Sequence, residues 1–111
     1  MIERTVLEYL QSHIGIPCHL EVPAKMPNRF LVIEKTGSSL VDHIKSATIA
    51  VQSYGKTLAD TIATNEEVKE IMSGLTDLDE IGGCSLNSDY NFTDTETKRY
   101  RYQAVFDITH Y

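Results

Sequence analysis

The chain has 111 residues and a mass of 12.5 kDa, with 41% hydrophobic residues, 23% charged residues and a net charge of −6. That length carries one hydrophobic core and excludes two, so residues 1–111 read as a single domain. No stretch approaches the roughly 18 apolar residues of a membrane span, and the acidic balance argues against a duplex-DNA reader, which needs Lys and Arg to neutralise phosphates.

Residues 2–14 predict a helix. Ile2, Val6, Leu7, Leu10 and Ile14 form one stripe, with Glu3, Arg4, Glu8 and Gln11 off it, and Gly15 and Pro17 as the stop. The first residues lack the basic, apolar, then small-residue order of a signal peptide, so a cytoplasmic origin is expected. Cys18 to Val22 reads as a short strand, closed by a loop from Pro23 to Pro27. Phe30-Leu31-Val32-Ile33 is apolar on both faces, the mark of a central strand covered on both sides. Gly37-Ser38-Ser39 then opens an expected loop through His43, mobile in the free subunit. Its two apolar residues, Leu40 and Val41, are either a tucked-in anchor or a contact held ready for a partner.

Ile44 to Tyr54 alternates, with Ala47, Ile49 and Val51 on one side and Ser46, Thr48 and Gln52 on the other. Lys56 to Leu75 reads as one helix stopped near Gly74, its stripe being Leu58, Ile62, Val68, Met72 and Leu75. Thr64-Asn65-Glu66-Glu67 offers a capping box where it could restart. Ile81 to Phe92 is a strand with Cys84, Leu86, Tyr90 and Phe92 on one side. A polar turn from Thr93 to Lys98 leads into the last strand, Tyr100 to Tyr111. Once that turn closes, the four side chains are expected to meet Tyr102, Ala104, Phe106 and Ile108. Arg99, Arg101, Gln103, Asp107 and Thr109 occupy the other face, to be solvated or buried against a neighbouring subunit. The order α-β-β-β-α-β-β predicts an α+β two-layer sandwich, a mixed, mostly antiparallel sheet with two helices on one face.

No catalytic constellation emerges. Tyr54-Gly55-Lys56-Thr57 is half of a phosphate loop, but Ala50 stands where the motif needs its other glycine. His13, His19, His43 and His110 sit in four different elements without zinc-ligand spacing. Asp77-Leu78-Asp79-Glu80-Ile81-Gly82 begins like a calcium loop, yet Ile81 holds the fifth ligand position. No Gly-x-Ser-x-Gly elbow is present, and Glu66/Glu67 and Asp77/Asp79 lack an apolar pocket to raise a pKa. No enzyme activity, metal or cofactor is therefore expected. Cys18 and Cys84 form no CxxC pair and are expected as buried thiols rather than a disulfide. Asn91-Phe92-Thr93 is a glycosylation sequon without a secretion signal to give it meaning.

Charge is unevenly spread. Residues 57–96 carry one lysine, Lys69, against ten acids. This is either a solvated helix face with acidic loops or an acidic surface facing a basic partner or a DNA conduit.

Four stretches, in order, carry a resemblance. Glu34-Lys35-Thr36-Gly37, Gln52-Ser53-Tyr54-Gly55-Lys56, Asn87-Ser88-Asp89-Tyr90-Asn91-Phe92 and the closing Tyr100-to-Tyr111 strand resemble the small neck proteins of long-tailed phages and of prophages in Gram-positive bacteria. The resemblance implies a tail-terminator or tail-completion protein with two helices against a mixed sheet. It implies a ring, usually of six copies, that caps the tail tube and meets the head connector proteins in the virion, after synthesis in the host cytoplasm. It implies no catalytic residues, while composition and charge lead to the expectation of no membrane and no sequence-specific nucleic-acid binding. Candidate contact residues for the ring or its partners are Leu40, Val41, Asp42, Asp77, Asp79, Glu80, Arg99 and Arg101. Arg99 and Arg101 of one copy would face Asp77, Asp79 and Glu80 of the next. The alternative from another class is a small prophage-encoded acidic regulator or inhibitor that acts by binding.

Overall fold

The computed structural model describes residues 1–93, 95–96 and 99–111. Its elements run α1 (Ile2–Ile14), β1 (Cys18–His19), β2 (Phe30–Val41), β3 (Ile44–Gly55), α2 (Leu58–Met72), a 3₁₀ turn (Leu75–Asp77), β4 (Ile81–Asn91) and β5 (Tyr100–His110). The sheet order is β1-β2-β3-β5-β4, with β1 and β2 parallel and every other junction antiparallel. This is the expected α+β sandwich. Ile2, Val6 and Leu10 of α1 and Val68 and Met72 of α2 share one core with Leu31, Ile33, Ile49, Val51, Ala104, Phe106 and Ile108, so both helices cover the same sheet face.

Four expectations need correction. The segment from Gly37 to His43 is not a loop. Its residues through Val41 continue β2, paired with β3 down to Val41 opposite Ile44, and only Asp42 and His43 turn. Both turn residues are left-handed, at φ 50° and 67°. That pair of positive φ values is what a two-residue hairpin needs to match strand twist, and Asp and His tolerate it better than most residues.

The first strand is shorter than expected, stopping at His19. Arg99 accounts for the loop that follows. Its guanidinium donates to the carbonyls of Pro27 (2.9 Å), Asn28 (3.3 Å) and Met26 (3.4 Å), holding the 26–28 backbone beside the end of the sheet. Met26 packs on Phe30, Val32 and Tyr54, a second, small core on the side away from the helices. Phe30 to Ile33 is thus covered on both sides, as its composition implied.

The buried stripe of α2 begins with Thr61, Thr64 and Asn65 rather than Leu58 and Ile62, which are exposed. Gly55 explains the substitution, because a Cβ there would lie 2.6 Å from Thr61 Oγ1; strand and helix approach too closely for a leucine. The threonine hydroxyls cost little to bury, since each donates to a carbonyl four residues back, Thr57 at 2.7 Å and Asp60 at 2.9 Å. The N-cap is Thr57, whose hydroxyl accepts from the Asp60 amide, and the helix does not restart at Thr64.

The fourth correction lies in the terminal hairpin. Cys84 opposes Ile108 and Leu86 opposes Phe106 as expected, but the register shifts between Leu86 and Ser88. One extra residue reverses every later side chain. Tyr90 now opposes Gln103 and Asn91 opposes Tyr102, so Tyr90 faces away from the helices and Asp89 faces α2. The connecting turn expected from Thr93 to Lys98 falls partly on residues 94, 97 and 98, outside the described residues.

Asp89 uses that placement. Its Oδ2 accepts from Asn65 Nδ2 (2.9 Å) and from Lys69 Nζ (3.0 Å), tying α2 to the outermost strand. Lys69 also bridges Glu66 at 2.9 Å, and its hydrogen bonds to Glu66 and Asp89 raise its pKa above the ordinary lysine value. Asp89→Ala would strand the amide of Asn65, which is buried. The expected cost is about 1–3 kcal/mol, the penalty for an orphaned buried donor. Urea unfolding checks it, and a midpoint equal to wild type would show that α2 needs no such tie.

Both cysteines are free, Cys18 buried and Cys84 half-buried. Burial pushes both thiols from 9.0 up to about 11. Unfolding would return them to the lower value, so their contribution is complete below pH 9 and is lost as pH rises towards 11. Because the thiolate is the nucleophile, alkylation at pH 8 should run roughly 100-fold slower in the folded protein than in urea. Equal rates by mass spectrometry would mean that the core opens freely at these positions.

Candidate assembly surface

The eight candidate residues fall into two groups at opposite ends of the molecule. Leu40, Val41 and Asp42 form the distal end of the β2–β3 hairpin. Leu40 opposes Lys45, Lys45 opposes His110, and His110 opposes Ile81. The exposed acidic turn of Asp77, Asp79 and Glu80 immediately precedes Ile81, and the Glu80 carbonyl accepts from the Tyr111 amide at 2.9 Å. Glu80 and Lys45 line the same cleft, with Met1, Ile2, His110 and Tyr111. Hairpin tip and acidic turn are therefore one end of the protein.

That end is apolar and acidic together. Leu40 and Val41 are each 65% exposed, and Ile44 is 48% exposed. Period-2 alternation puts Leu40 on the helix side of the hairpin and Val41 and Ile44 on the other, so the tip is apolar on both faces. A groove of about 440 Å³ runs between the hairpin and the start of α1, lined by Leu40, Ser38, Lys35, Lys45 and Glu3 among others. Sequence reasoning points to Leu40, Val41 and Asp42 but not to Ile44, which looks only like the start of the next strand.

Arg99 and Arg101 lie at the other end of β5. Nine residues separate Arg101 from His110, roughly 30 Å at the rise of an antiparallel strand. Both arginines are engaged within the chain. Arg99 holds the 26–28 backbone. Arg101 Nε donates to the Phe92 carbonyl (2.7 Å), its Nη1 donates to Tyr54 Oη (3.0 Å), and its guanidinium carbon sits 4.2 Å from the Phe92 ring centroid. Tyr54 in turn stacks on Phe30 at 4.5 Å. An ion pair with Asp77, Asp79 and Glu80 of another copy would have to replace these bonds, and exposed pairs contribute only about 0–1 kcal/mol. The face that carries Arg101 is satisfied by its own network: Gln52 Nε2 donates to Gln103 Oε1 (2.9 Å), and Gln103 Nε2 donates to Tyr90 Oη (2.6 Å). Gln103 is buried within a single copy, without a neighbouring subunit.

Among the described residues, no group of three or more His, Cys, Asp or Glu side chains is placed to hold a metal ion. Among the same described residues, no helix is long and apolar enough to cross a membrane. Neither a protein-family model nor a curated protein matches the chain.

Proposed function

We propose that this protein is a non-catalytic structural subunit of a phage neck, of the tail-terminator type. Copies would assemble as a ring, six in the virion, that caps the tail tube and meets the head connector. The observation that carries this reading is the hairpin of β2 and β3. It exposes Leu40, Val41 and Ile44 at one pole, next to the acidic turn, where a monomer gains nothing from apolar side chains in water. The fold, two helices on one face of a mixed sheet, agrees with what the sequence resemblance implies.

Purified alone, the protein is expected to be a monomer or weak oligomer, with the ring closing at a tube end. Deleting the gene from its phage tests the role. Filled heads with separate tails, or tails of irregular length, are the expected result. Normal virions from the deletion would overturn it and favour an acidic regulator instead.

A further inference from the structure

We infer that copies of this chain join edge to edge, the outer edge of β4 in one copy pairing antiparallel with the exposed outer edge of β2 in the next.

Among the described residues, the sheet has two long edges without a strand on them. One is β4, the last strand in the order β1-β2-β3-β5-β4. The other is the distal part of β2, because β1 covers β2 only at Leu31 and Val32. From Glu34 to Val41, β2 is exposed. A row of unpaired amides and carbonyls is a template for another strand. Lysine, proline and bulges on an edge oppose such pairing. Residues 81–91 contain neither lysine nor proline. β4 carries bulges between Ile81 and Gly83 and between Leu86 and Ser88, and β2 carries Lys35 and a bulge between Lys35 and Gly37, which the junction has to accommodate.

The two edges match in height. Following the pairings across the sheet, Leu86 lies level with Phe106, Ile49 and Lys35, while Ser85 lies level with Asp107, Thr48 and Gly37. Ser88 lies level with Val105, Ala50 and Glu34. The open stretch of β2 therefore occupies the same level as residues 81–88 of β4. A second copy displaced sideways, with no shift along the strands, brings them into register.

Their directions also match. Alternating antiparallel junctions from β2 through β3 and β5 leave β4 running opposite to β2. A second copy in the same orientation therefore meets β4 with an antiparallel β2, the same junction found between all the long strands. Both copies keep their helices on one side.

Side chains at the junction are complementary. Leu86 is 46% exposed on the helix side of β4. At its level the neighbouring copy offers a cleft of about 230 Å³ lined by Leu20, Ile33, Lys35, Glu34 and Glu3. Burying Leu86 there would cover apolar surface that a lone copy leaves wet. Because unlike edges meet, each added copy presents a fresh edge, the head-to-tail geometry that closes into a ring when the rotation permits. No tail or other protein is required, so the junction stands or falls apart from the neck assignment.

Amide exchange on the unmodified protein, from dilute to the highest soluble concentration, tests the junction. Amides within residues 82–88 and 34–40 should both gain protection as concentration rises, while β3 stays unchanged. Two single-edge variants give the second readout. Leu86→Lys spoils the β4 edge and Thr36→Pro spoils the β2 edge; circular dichroism confirms that each still folds. Each should lose self-association by sedimentation, and a mixture should recover a dimer through the two intact edges. Protection confined to 82–88, with Thr36→Pro still dimerising alone, would mean that β4 pairs with β4 and would overturn the inference. So would a wild-type protein that stays monomeric throughout.

Discussion

Truncating Phe106 to alanine is expected to destabilise the protein by about 3–5 kcal/mol, the range for emptying a buried aromatic site. Phe106 is 2% exposed and sits on β5 between Ile49 and Leu86, beneath both helices. No neighbouring strand can move inward to fill the space, because β5 is paired on both sides from Tyr102 to His110. The loss is comparable to much of the 5–15 kcal/mol that holds an ordinary domain together. Urea unfolding at fixed pH measures it. A midpoint near wild type would place Phe106 outside the core.

The second large effect concerns binding and should leave stability nearly untouched. Leu40→Asp with Val41→Asp puts two carboxylates on the hairpin tip, where the side chains they replace are mostly in water. Surface changes of this kind usually alter stability by within about 0.5 kcal/mol. If the tip seats against a tube end, the doubly charged variant should lose capture of tail tubes altogether, since desolvating two unpaired carboxylates opposes docking. Pelleting with purified tubes reads the outcome. Capture at wild-type level would remove the hairpin tip from the contact and leave the acidic turn as the remaining candidate at that pole.

Much of the fold was legible in the sequence, for identifiable reasons. Stripes of period 3.6 and alternations of period 2 report burial, and burial marked both helices and three of the four long strands, β3, β4 and β5, over most of their length. The misread parts are those where something other than side-chain hydropathy chose the structure. Ser38 and Ser39 look like loop residues, yet they lie in β2 because the Asp42–His43 turn closes a hairpin around them. Thr61 and Thr64 look like surface positions, yet Gly55 draws the helix too close for larger side chains. Asn87 carries no sign of a bulge, and no alternation rule could foresee that Tyr90 and Asp89 would exchange faces. Of the candidate surface, Leu40, Val41 and Asp42 were found by their oddity in a polar stretch. Arg99 and Arg101 look like available charges because a sequence does not disclose the backbone carbonyls and aromatic rings that occupy them.

The two-residue turn at Asp42–His43 leaves no slack between β2 and β3, so the hairpin is a finger whose length is set by residue count alone. Two residues added to each strand would carry the tip about 7 Å farther and keep every side chain on its present side; one residue added to each would reverse them. Without a further bulge like the one the hairpin already carries between Lys35 and Gly37, reach changes in two-residue increments, like the marks of a ruler. A related chain with a longer finger should differ by an even number of residues per strand, with an apolar pair still at the tip.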